Sequence, residues 1–196
     1  MNSQEKLKSN ELSAEAQTAG TIPQSEQAQY VGDDEDAKIE VGEDSLPRGL
    51  AQRPWRVAKA LLALRTQVNT LAPRRSKTSD GTIGDAAHRT RASDHNPWVN
   101  DGAEDVVTAM DITHDPTNGC DAGLLAEVIC NSRDARVKYV IWNRRIANSA
   151  AINGQPPWTW RPYTGQNPHN HHVHLSVLSE KPKYDSTADW AIAVAA

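Results

Sequence analysis

The six residues His172-Val173-His174-Leu175-Ser176-Val177 constrain this chain more than any other stretch. Strict alternation of polar and apolar side chains is the period of a β-strand, so His172, His174 and Ser176 share one face and Val173, Leu175 and Val177 the other. The apolar face calls for a core, and two imidazoles point into one place. The run Val106-Val107-Thr108-Ala109-Met110-Asp111-Ile112-Thr113 reads as a second strand, with Val107, Ala109, Asp111 and Thr113 on one side. Asp111 would then be a carboxylate on a partly buried strand, where a charge needs a partner. That partner could be a metal ion, an arginine or backbone donors. Four histidines lie between His169 and His174, and such a tract can also be a solvated turn.

Imidazole nitrogen and carboxylate oxygen together suit zinc, and three protein ligands make a catalytic rather than a structural site. No Cys-x-x-Cys pair exists to build a closed structural site. His172 and His174, read together with His95 and Asp111 upstream, are side chains of the kind that hold such an ion, and the chemistry expected of a His/Asp/His site is metal-assisted hydrolysis of an amide.

The segments Ser93-Asp94-His95-Asn96-Pro97, Ala109-Met110-Asp111 and His172-Val173-His174 resemble the zinc peptidases that cut bacterial cell-wall peptides. These are the M15-type D-Ala-D-Ala carboxypeptidase and L-alanyl-D-glutamate endopeptidase group, related to the murein endopeptidases. The resemblance covers residues 50–178 and implies that His95, Asp111 and His174 hold Zn2+, with His172 at the reacting carbonyl. It departs from the family pattern at two points. Fifteen residues separate His95 from Asp111, more than the family has, which fits an inserted surface turn at Pro97–Glu104, whose Asn100-Asp101-Gly102 is a turn signal. Where carboxypeptidase-type relatives carry an acidic general base, this chain has His171, so either His171 or His172 takes that role. Arg89 and Arg91, just before Ser93, are expected to anchor a substrate carboxylate through paired guanidinium hydrogen bonds, or else to be solvated loop arginines. Ser93 belongs to the same substrate-binding segment. His88 competes with His95 as first ligand, and the Ser-x-His context favours His95.

Composition divides the chain. Residues 1–46 carry eleven acidic and three basic side chains and almost no large apolar ones, too little apolar surface to offset ordering entropy, so a disordered acidic tail is expected. Residues 47–196 carry fourteen acidic and eighteen basic residues and all six tryptophans, enough for one domain with a sizeable core. Their mild positive charge suits an anionic wall polymer or a nucleic acid and does not choose between them. The letters His169-Asn170-His171 are not a nuclease signature, and Arg144-Arg145 beside Trp142 reads as a solvated strand edge rather than a nucleic-acid patch.

Val57, Leu61, Leu64, Val68 and Leu71 recur at helical spacing. A second helix fits Asp121–Ser132, capped by Asp121, with Leu124, Leu125, Val128 and Ile129 as its buried stripe. Val137–Trp142 alternates as a strand, and Gly/Pro/Asn-rich loops run on through Asn170. The expected fold is α+β, a small antiparallel sheet with flanking helices and the zinc on its open face. Trp158 and Trp160 are expected to pack under a long loop, with a substrate-groove wall as the alternative. Cys120 and Cys130 flank a helix that would hold them about 15 Å apart, beyond disulfide reach, so both should be free thiols.

No basic region followed by an apolar run opens the chain, and no stretch is long enough to span a bilayer. The expectation is synthesis in the cytoplasm, monomeric, with access to the wall by lysis, a holin-type pore or specialised secretion. Stem peptides of peptidoglycan are the expected substrate. A non-catalytic wall-binding module, or a metal-dependent hydrolase of another bond such as a phosphodiester, is the alternative. Deleting residues 1–46 should leave the thermal transition and specific activity nearly unchanged, because the segment has little apolar surface to contribute; a large fall in melting temperature would show that it packs on the domain.

Overall fold

A computed structural model describes residues 53–83 and 93–194. The acidic segment 1–46 and His88, Arg89 and Arg91 lie outside the described residues. In chain order the elements are β1 (Trp55–Val57), α1 (Lys59–Leu71), β2 (Val99–Asp101), β3 (Glu104–Val107) and β4 (Ala109–Thr113). A 3-10 turn at Pro116–Asn118 leads to α2 (Ala122–Ser132), then β5 (Val137–Trp142), β6 (Arg145–Asn148), β7 (Arg161–Pro162), β8 (His172–Val177) and α3 (Lys181–Tyr184).

The α+β expectation holds, but with two sheets rather than one. A five-stranded sheet in the order β4-β8-β5-β6-β7 is antiparallel throughout. A three-stranded sheet, β1-β3-β2, contains one parallel pair, β1 with β3. The division falls inside the stretch expected to be one strand. At Thr108 the backbone N–H turns to the Asp94 carbonyl (3.1 Å) and the carbonyl accepts from Val177 N–H (2.9 Å). Val106 and Val107 therefore serve one sheet and Ala109–Thr113 the other.

The helices cover one face of the larger sheet. Val173, Leu175 and Val177 from β8 meet Met110 and Ile112 from β4, Val140 and Trp142 from β5, Leu61, Leu64 and Val68 from α1, and Leu125 and Ile129 from α2 in one buried cluster. Both helical stripes shift from the sequence reading. Val57 is in β1 and Leu71 is exposed at the end of α1. In α2 the small side chains of Ala122, Ala126 and Cys130 are buried beside Leu125 and Ile129, while Leu124 and Val128 are only partly covered. Asp121 caps α2 as expected, accepting from the N–H groups of Gly123 (2.8 Å) and Leu124 (3.2 Å). Cys120 and Cys130 are free and buried, and burial pushes their thiols up to about 11 and about 12. Trp158 and Trp160 pack against the main core, and the Trp160 indole N–H donates to Glu127 (3.1 Å). Among the described residues no helix is long and apolar enough to cross a membrane.

β6 and β7 lie where only loops were expected. The turn joining β5 to β6 is Asn143-Arg144, both at positive φ (45° and 60°), and pairs Trp142 with Arg145. This is the two-residue turn that usually announces itself as Asn-Gly, and arginine in the second place hides it.

The outer edge of β4 is covered by the segment after α1. Gly81 exchanges backbone hydrogen bonds with Asp111 (2.8 and 3.3 Å). Asp80 meets the buried Arg75 guanidinium at 2.6 and 2.7 Å and accepts from Thr113 N–H and Oγ1 at 2.9 and 2.8 Å. Burial works against ionisation of Asp80, but Arg75 and Thr113 outweigh it and hold its carboxyl below the usual value. Asp80→Asn should cost about 3–5 kcal/mol, because it leaves Arg75 buried without its counter-charge. The folded pKa lies below the unfolded one, so this stabilisation is complete above about pH 4 and lost as pH falls through the folded value. Urea titrations should show the gap between the native protein and Asp80→Asn wide at neutral pH and narrowing in acid; equal stabilities at pH 7 would refute the anchoring role.

Candidate metal centre

Cross-strand register brings the centre together. β4 and β8 pair Thr113 with His172, Asp111 with His174 and Ala109 with Ser176, and β5 places Ile141 beside His174 on the other side. Residues directly opposite in a sheet point to the same face, so Asp111, His172, His174 and Ser176 emerge together on the side away from the helices.

β5 contributes by breaking its own alternation. Val137 faces Val177, but Tyr139 faces the adjacent Ser176, leaving Lys138 as an extra residue. The bulge puts Val137 in the main core while Tyr139 and Ile141 join a small cluster with Ile146, Ile152 and Tyr163 on the site face. The Tyr139 ring lies nearly parallel to the His174 imidazole, 5.4 Å between centroids at 6°.

Lys138, re-aimed by the bulge, reaches Asp94 with its ammonium 3.0 Å from both carboxylate oxygens. Asp94 also holds Thr108 through its carbonyl. Ser93 completes the turn, its Oγ accepting from His95 N–H (3.3 Å) and its carbonyl from Asn96 N–H (3.0 Å). His95 is thereby delivered into the site, 1 % exposed. Ser93, expected to touch substrate, is buried and shapes this turn.

His95 Nε2, Asp111 and His174 Nδ1 converge. His95 Nε2 lies 3.2 Å from His174 Nδ1 and 3.4 Å from Asp111 Oδ2, and His174 Nδ1 lies 3.1 Å from Asp111 Oδ1. These residues form the described group able to hold a metal ion. A tetrahedral ion with bonds of about 2.0–2.1 Å separates its ligand atoms by about 3.3 Å, so the spacing fits zinc. Proton count argues the same way. His174 Nδ1 faces both a carboxylate oxygen and an imidazole nitrogen, and with at most one proton there it can satisfy only one of them. With the Nδ1 lone pair turned to the shared centre, His174 Nε2–H donates to Ser176 Oγ at 3.0 Å, the outer partner that ligating imidazoles keep. Burial alone would raise the Asp111 carboxyl, but His95, His172 and His174 outweigh it and hold it well below the usual carboxylate range.

The other expected residues divide. His172 is buried, with Nε2 3.8 Å from Asp111 Oδ2 and no hydrogen-bond partner for either ring nitrogen among the described residues. His171 is exposed just before β8, and its carbonyl accepts from His114 N–H (2.8 Å). The strand turns His172 inward and leaves His171 outside the group around Asp111. The site face is not open as expected, since loop 163–171 folds over it. Tyr163 N–H donates to Arg144 O, Arg144 N–H to Pro168 O and Asn143 N–H to His169 O, all at 2.8–2.9 Å. This lays down a residue that the sequence reading left in a histidine-rich tract. His169 is fully buried, its ring edge-to-face with His172 (5.1 Å) and His174 (5.6 Å). Strand alternation carried no signal for it, because it precedes β8.

No protein-family model, curated protein or solved structure matches the chain.

Purified protein should bind about one zinc per chain. His95→Ala, Asp111→Ala and His174→Ala should each abolish it, whereas Ser176→Ala should weaken it by about 10- to 100-fold. Elemental analysis and competition with a chromogenic chelator measure both; full occupancy in all three alanine variants would reject the ligand set.

Proposed function

We propose that the protein is a zinc-dependent hydrolase of peptide bonds in bacterial peptidoglycan. The observation that carries this reading is the convergence of His95 Nε2, Asp111 and His174 Nδ1 within 3.1–3.4 Å, with His172 beside them and uncommitted. His95, Asp111 and His174 would hold the ion, which when bound polarises a carbonyl and activates water at neutral pH.

The chain supplies the rest. Asp111, kept ionised, contributes the negative charge that makes the site attractive to a cation. Lys138 and Asp94 fix the turn that carries His95, and Ser176 and Tyr139 fix the His174 ring. Among the described residues neither nitrogen of His172 has a hydrogen-bond partner, so it can take a proton or donate one to an oxyanion. Burial of His95, Asp111, His172 and His174 puts their mutual interactions in a low-dielectric setting, where they are stronger than in bulk water. Arg89 and Arg91 are the proposed anchors for a substrate carboxylate, by their place shortly before Ser93 in the chain.

The choice of bond rests on chemistry. Glycoside cleavage normally uses two carboxyl groups flanking the sugar bond. Among the described residues Asp111 is the sole carboxylate in the metal group, and neighbouring Asp94 is tied to Lys138. The same lack of a second carboxylate favours the alternative of a metal-binding, non-catalytic wall module, since no acidic base is in place among the described residues.

Digestion of purified peptidoglycan should release new amino groups or free D-alanine without new reducing ends, and chelation should stop it. His172→Ala should keep its zinc and lose on the order of 10²-fold or more in rate. Reducing sugars rising in step with turbidity loss would overturn the peptidase reading, and zinc binding with no cleavage of any wall preparation would favour the binding module.

A further inference from the structure

The peptidase reading gives His172 a task that depends on where its ring points. Hydrogen bonds are the usual device for fixing an imidazole, and His172 makes none to the described residues at either nitrogen. With the Asp111 carboxylate 3.8 Å from Nε2 as its one charged neighbour among the described contacts, its ring plane has to be set by packing. The ring it meets is His169, edge-to-face at 5.1 Å and 79°.

His169 is itself held tightly. Its Nδ1 lies 2.9 Å from the Asn167 carbonyl, which can only accept, so Nδ1 carries the proton and the tautomer is fixed. Its backbone N–H donates to Asn167 Oδ1 (2.9 Å), and its carbonyl accepts from Asn143 N–H (2.9 Å). The ring also meets Tyr163 edge-on at 5.3 Å. This histidine sits in the left-handed region, φ 50°, a conformation that costs an L residue with a side chain free energy and persists only where the surroundings enforce it. The surroundings here are the strained hairpin turn Asn143-Arg144, which binds loop 163–171 by three backbone hydrogen bonds. A buried, strained residue that supplies no proposed ligand atom, yet touches both His172 and His174, is placed there for what it does to them.

We propose that His169 is the positioning residue for His172: an immobile ring, locked by Asn167 and the hairpin turn, against which the uncommitted imidazole is held beside Asp111. The inference rests on the peptidase reading for its kinetic consequence, and on geometry alone for its structural one.

Three variants and three readouts test it: zinc content, steady-state rate and the His172 ring resonances. His169→Ala removes the ring, His169→Phe keeps an aromatic ring without the imidazole nitrogens, and His172→Asn identifies the His172 signals in long-range 1H–15N spectra of the zinc-loaded protein. His169→Ala should bind about one zinc per chain, lose about 10- to 100-fold in kcat with KM little changed, and show His172 ring resonances shifted or broadened. His169→Phe should recover most of the rate and return the His172 resonances to near their native positions. A His169→Ala protein with native rate and native His172 resonances overturns the proposal. So does a His169→Phe protein as slow as His169→Ala with His172 undisturbed, because that outcome makes the nitrogens of His169 the active feature. If His169→Ala does not fold, the comparison of His169→Phe with the native protein decides on the same criteria. If the native protein cleaves no wall preparation, the peptidase reading fails and the His172 resonances alone decide the positioning role.

Discussion

A carboxylate buried on the edge strand of the larger sheet governs this molecule. Asp111 is 3 % exposed, and an ionised carboxyl in that position costs several kcal/mol unless other groups meet it. Its backbone is committed to the sheet and to Gly81, so compensation has to come from side chains on the same face. The register with β8 brings His174 opposite and His172 two residues along. The turn at 93–96 brings His95 over the top. Without a cation, His95 Nε2 and His174 Nδ1 would both have to turn N–H groups to the carboxylate, leaving two donors facing each other at 3.2 Å, whereas a cation at their centre would turn each close approach into an attraction.

The larger sheet has to serve this polar face and an apolar one at once. β4 and β8 do so by simple alternation. In β5 the bulge at Lys138 switches faces in mid-strand, keeping Val137 in the core, aiming Tyr139 at His174 and freeing Lys138 to hold Asp94. One inserted residue thus links core packing to the position of a proposed ligand on a different segment.

Backbone strain gathers at the rim of the centre. Asn143, Arg144 and His169 all adopt positive φ and are joined by hydrogen bonds between the hairpin turn and loop 163–171. Residues in such conformations hold only where the surrounding contacts over-determine them, and here those contacts are the ones that fold the loop over the histidines. Loop and centre are joined by these backbone hydrogen bonds and by Tyr163, which packs with Tyr139 and Ile141 in the small cluster.

Much of the site was legible because it lies on strands. Alternation in His172–Val177 and in Ala109–Thr113 fixes which side chains face together, and the Asp121 cap and the apolar stripes fix the helices to within a residue or two. The Ser93-Asp94-His95 turn was visible as a motif, though not that Asp94 would bind Lys138. Tyr139 and His169 were not legible. The bulge that re-aims Tyr139 is a mismatch between two strands, which no single segment encodes. His169 lies outside any periodic element and reaches the site only because the Asn143-Arg144 turn captures its loop. The sequence by itself determined the face on which each strand residue lies, since local sterics set that period. The tertiary structure decided which segments meet, because register, bulges and loop anchoring are settled by partners distant in the chain.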